Sequence, residues 1–143
     1  MGIGEKEMGQ YYLIVNQTKK EYLHPHKLDS GLKLLEIACC DLPRVLIMLL
    51  WKSTGGGGGD GNISDESIKE YTGRWAGDQV VIVGDYDDSK LYEEAEDTYT
   101  DISFPVRWVY NFWMDIPEMQ INGSWGYDKE WAKWVKDNHP EGS

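Results

Sequence analysis

Cysteine and positive charge are both scarce in this chain of 143 residues. Its two cysteines, Cys39 and Cys40, are adjacent, and neighbours on a helix point to different sides, so a bridge between them would be strained. Two unbridged thiols exclude a disulfide-stapled secreted scaffold and point to a reducing compartment. On a segment that reads as buried helix they are expected to be inert core thiols. Long apolar runs are also missing. Residues 45–51 form an apolar run of seven, too short to cross a bilayer. No N-terminal stretch joins basic residues to an apolar core, so no secretory signal is read and the expected location is the cytoplasm. No serine sits in a Gly-x-Ser-x-Gly setting, and no Gly-Lys-Ser/Thr follows the glycine run at 55–59, which argues against a nucleophile elbow and a phosphate loop.

The shortage of positive charge is local. The chain carries 14 Lys and Arg against 25 Asp and Glu, a net charge of −11. Residues 60–101 hold 13 of the acids and three of the bases, while the remainder is nearly balanced. Direct binding to nucleic acid or to an anionic membrane is disfavoured, because both need a basic footprint. Metal cations and basic proteins stay open as partners. Rings are abundant: seven Trp and nine Tyr stand against two Phe. A core of such rings needs a hydrogen-bond partner for each buried N–H and O–H, so it should contain polar networks. The 41% apolar and 13% aromatic content excludes a disordered chain, and the length suits one domain.

Residues 8–15 read as a first strand, 16–20 as its turn and 21–23 as the return strand of a hairpin. Residues 1–7 add no pattern and are expected to be a disordered extension, with 8–143 as the domain. Asp29 or Ser30 begins a helix whose apolar positions are Leu32, Leu34, Leu35, Ile37 and Ala38. Asp41 and Pro43 introduce a second helix over 44–52, apolar all round and so expected to be central and buried. The glycine-rich stretch 55–62 reads as a mobile linker. Val80, Val81, Ile82 and Val83 lie between Gly77-Asp78 and Gly84-Asp85 and predict a strand buried on both faces. Carboxylates then gather at that strand's C-terminal end, and 89–97 reads as a short acidic helix. In 104–113 alternation competes with a helical period, and the rings and β-branched residues favour a strand. Asp128 opens a last helix in which Trp131, Trp134 and Val135 share a face. The expected fold class is α+β, a single domain with a mostly antiparallel sheet and helices packed on one face.

At 8–12 (MGQYY), 31–34 (GLKL), 75–78 (WAGD) and 84–86 (GDY), the chain resembles a family of small phage and bacterial proteins. The resemblance covers residues 8–88. It implies a cytoplasmic, phage- or plasmid-borne origin and no assigned activity.

Three functional readings follow. In the first, Asp85, Asp87, Asp88, Glu93, Glu94, Glu96, Asp97 and Asp101 form an acidic surface that fills a basic groove on a partner, standing in for phosphates. In the second, the protein holds a divalent metal (Ca, Mg or Zn), as an enzyme or a binder. His24 and His26 flank Pro25 and share a face on an extended chain, with Asp85 and Asp87 as further ligands. Asp85, Asp87, Ser89, Glu93 and Glu96 also stand at positions 1, 3, 5, 9 and 12 of a calcium loop, but Lys90 takes the glycine position. In the third, Trp75, Trp108 or Trp125 lines a pocket for a small molecule. Asp78 and Asp85 do not form an acid/base pair, because a strand holds them about 23 Å apart on opposite faces.

Overall fold

The computed structural model describes residues 9–142, so the expected extension at 1–7 lies outside the described residues. The first apolar run forms β1 (Tyr12–Asn16) and folds back as β2 (Glu21–Leu23) in the expected hairpin. β3 (Val80–Gly84) pairs antiparallel with the other side of β1, and β4 (Thr100–Asp101) pairs parallel with β2. The strand order is β3-β1-β2-β4. The described residues also form five α-helices: α1 (Leu34–Cys39), α2 (Leu42–Leu50), α3 (Leu91–Thr98), α4 (Ser103–Trp113) and α5 (Asp128–Asn138). The protein is a single α+β domain on a mixed sheet.

Alternation along β1 divides the core in two. Ile14 and its neighbour Leu23 face the larger cluster, which takes Leu42, Val45, Met48 and Leu49 from α2, Val106, Val109 and Tyr110 from α4, and Trp75. Leu13, Val15, Tyr22 and Val83 face the other way and are covered by Leu91, Tyr92 and Ala95 of α3. The acidic helix therefore lies on the sheet face opposite α2 and α4, a departure from the expectation that all helices share one face.

Trp75 is fully buried, and its N–H finds the partner that burial requires. It donates to Glu21 Oε1 at 2.9 Å, and Arg74 reaches the same carboxylate through Nε at 3.1 Å and Nη2 at 2.5 Å. Burial works to raise the Glu21 pKa, but the Arg74 and Trp75 hydrogen bonds outweigh it and hold the carboxyl below its ordinary range. The 73–75 segment also closes α2. The N–H groups of Gly73 and Trp75 donate to the carbonyls of Met48 and Leu49, which would otherwise be orphaned at the helix end. Gly73 takes φ +74 there, and a Cβ would stand 2.5 Å from the Trp51 carbonyl oxygen, so only glycine fits.

Four expectations are corrected. Residues 104–113 are helix: α4 buries Val106, Arg107, Val109 and Tyr110, a spacing no strand produces. The Asp101 carboxylate accepts from the Ser103 N–H and Oγ–H at the start of α4, and Pro105 lies in the first turn, where its missing N–H costs nothing. α2 is buried on one face only, with Ile47 61% and Leu50 45% exposed. The thiols are not core residues, since Cys39 is exposed and Cys40 half-buried; both are free. Lastly, β3 is an edge strand. Val83 is buried, but Ile82 is 46% exposed, so the valine-rich run is not enclosed on both faces.

Candidate acidic binding surface

The acidic surface begins where β3 ends. Asp85 is held in place by the hairpin: its N–H donates to the Tyr11 carbonyl at 2.9 Å, and its Oδ1 accepts from the Tyr11 N–H at 3.1 Å. Asp87 then makes a tight turn, accepting from the Ser89 N–H at 3.0 Å and from the Ser89 hydroxyl. These bonds hold the Asp87 carboxyl below the usual carboxylate range. Ser89 Oγ in turn accepts from the Leu91 N–H at 3.2 Å, satisfying one of the free donors in the first turn of α3. Lys90 takes the left-handed conformation at φ +65, so lysine adopts the backbone shape that a calcium loop assigns to glycine.

α3 then sorts its side chains by period. Leu91, Tyr92 and Ala95 turn to the sheet, while Glu94, Glu96 and Asp97 are exposed and Glu93 is half-buried. The acids crowd one another. Partial burial first, then the charges of Asp97, Glu93 and Asp85, push the Glu96 carboxyl upward. Burial and the charges of Glu96, Asp85 and Glu93 push the Tyr92 phenol up to about 12. Among the described residues, none of Asp85, Asp87, Asp88, Glu93, Glu94, Glu96 and Asp97 forms an ion pair with lysine or arginine. Asp101 is the exception. It pairs with Lys27 at 2.6 Å and caps α4, so its charge is already matched within the fold and it leaves the proposed surface.

The metal reading is not supported by this geometry. The His24 and His26 rings lie 5.5 Å apart, but each is engaged by a ring: His26 stacks on Trp125 at 5.0 Å and His24 tilts against Tyr127 at 5.4 Å. Burial lowers the His24 pKa to about 4. Among the described residues, no three His, Cys, Asp or Glu side chains gather closely enough to hold a metal, so His24, His26, Asp85 and Asp87 do not form one site. Of the calcium-loop carboxylates, Asp85 accepts from the Tyr11 N–H and Asp87 from Ser89 instead. Nor do the three tryptophans meet. Trp75 is in the core, Trp125 lies over His26, and Trp108 stacks on His139 at 4.0 Å within a C-terminal ring cluster. The last borders a cleft of about 270 Å³, with Tyr71, Trp134 and Glu70. Asp78 is also accounted for structurally, bonded to Asn16 at 2.9 Å and to Lys19 at 2.6 Å.

A feature absent from the sequence reading lies beside the acids. An open groove of about 460 Å³ runs over β3, lined by Tyr12, Ile82 and Gly84 from one sheet face and Val81, Val83 and Leu91 from the other. A groove that touches both faces of one strand lies over its edge. The unbroken Val-Val-Ile-Val run concealed this, because a buried strand and a short apolar edge strand look alike without the pairing.

The chain matches no family model, no curated protein and no solved structure in comparisons with known proteins. Geometry alone therefore carries the functional argument.

Proposed function

We propose that this protein is a binding module whose acidic surface, at residues 85–97, receives a basic partner protein. The observation that carries the reading is the set of seven carboxylates within residues 85–97 that form no ion pair with lysine or arginine among the described residues, two of them fixed by backbone hydrogen bonds. Holding like charges together costs folding free energy, and a cationic partner relieves that cost. Partial burial first, and then the neighbouring carboxylates, raise the Glu96 pKa, and a bound lysine or arginine would oppose that shift. Location in the cytoplasm belongs to the same proposal, with Cys39 and Cys40 as free thiols.

Affinity for a lysine-rich peptide tests the reading. The triple variant Asp88→Asn, Glu94→Gln, Asp97→Asn removes three exposed charges that no ion pair uses. It should bind about ten-fold or more weakly at low salt, as loss of steering and contact charges predicts. Its melting temperature should not fall, because repulsion is relieved. Equal affinity of variant and native protein would refute the reading.

A further inference from the structure

The acidic surface adjoins an unpaired sheet edge, and the two together specify how a partner is bound. In the β1–β3 ladder, the Gln17 N–H donates to the Gln79 carbonyl and the Asp85 N–H to the Tyr11 carbonyl. Residues 79, 81, 83 and 85 thus turn their backbone groups toward β1, and the alternation of an antiparallel ladder turns those of Val80 and Ile82 outward. Among the described residues β3 ends the sheet, and no described strand lies beside these outward N–H and C=O groups. Edge strands are ordinarily shielded by a proline, a bulge or a charge within the strand. Val80–Gly84 contains none of these, and the groove leaves the edge open.

We propose that β3 accepts an extended basic segment of a partner protein as a fifth strand, with the partner's lysines or arginines reaching the carboxylates beyond the strand's end. Charge selects this occupant. A second copy paired at β3 would bring another acidic 85–97 segment and no unmatched cation for the first, so it would leave those carboxylates uncompensated. A cationic strand meets the opposite situation. Backbone hydrogen bonds would supply affinity, and Ile82, half-exposed, would offer a side-chain contact to alternate residues of the incoming strand.

This inference rests on the acidic-surface reading, and its test separates the two. A ten-residue peptide of alternating lysine and valine is titrated into the full chain, alongside the same peptide N-methylated at alternate residues. Amide exchange is followed at Val80 and Ile82. The expected result is protection of both amides on binding, by ten-fold or more, and at least ten-fold weaker binding of the methylated peptide. Ile82→Pro deletes an outward N–H that β1 does not use, and it should weaken binding similarly. If that variant fails to fold, the methylated peptide still decides. Salt-sensitive binding of both peptides alike, with no new protection, would overturn strand addition and leave the acidic surface standing. Absence of binding at low salt would overturn both. Protection that grows with protein concentration in the absence of peptide would assign the edge to a second copy and overturn the basic occupant.

Discussion

His24 records, in one side chain, how this fold treats a titratable group it encloses. Its backbone N–H donates to Ser103 Oγ at 2.7 Å, while its Nδ1 is buried without a hydrogen-bond partner. Burial drives the imidazole down to about 4, and the opposing pull of Asp101 is smaller. The unfolded chain titrates this group near 6.5, so between about 4 and 6.5 the unfolded state binds more protons. Stability from this residue therefore rises with pH across that window and is lost as the solution is acidified. The loss should be on the order of 2–3 kcal/mol. Urea unfolding of native protein and His24→Asn at pH 4, 5.5 and 7 checks it: the variant should show the shallower dependence, and parallel curves would contradict the account. Trp75 gives a second prediction at this scale. Trp75→Phe keeps a ring but removes the donor to buried Glu21, and it should cost about 1–3 kcal/mol in the same assay.

Among the elements, the hairpin, the acidic helix and the last helix were legible because each has a period and a punctuation that agree. α4 was not. Phe104, Val106, Trp108, Tyr110 and Phe112 alternate, and that alternation masked the 3–4 spacing of Val106, Val109 and Tyr110. Asp101, Ser103 and Pro105, an acid, a hydroxyl and a first-turn proline, are a helix start signal, but composition groups Asp101 with the acids that precede it. The Val80–Val83 run signals a strand but not its place at the border of the sheet, because pairing order is a property of the whole sheet. The glycine stretch is legible and makes a prediction. It is largely exposed, and its far end is tied to α4 by Trp113 Nε1 donating to the Asp60 carbonyl at 2.9 Å and Asn62 Nδ2 donating to the Phe112 carbonyl at 3.2 Å. A Cβ at Gly55 or Gly58 would meet nothing within 4 Å, and neither has the left-handed φ that favours glycine. Gly55→Ala and Gly58→Ala should each raise stability by about 0.4–1 kcal/mol through the unfolded state, read as a shift in the urea midpoint.

For the whole molecule, the composition located the charge excess correctly but could not tell which acids were spoken for. Asp78 and Asp101 belong to Lys19 and Lys27, while the acids from 85 to 97 stay unmatched on the described surface. No described helix is long and apolar enough to cross a membrane. What distinguishes the molecule is the coincidence of unmatched charge with an open strand edge on one border of its sheet. The most direct measurement is a residue-by-residue amide chemical-shift titration of the full chain with a lysine-rich peptide at low salt. The account predicts shifts concentrated in β3 and residues 85–97, reversed by high salt. Shifts centred instead on the exposed α1–α2 face or on His26 and Trp125, or no shifts at all, would contradict it.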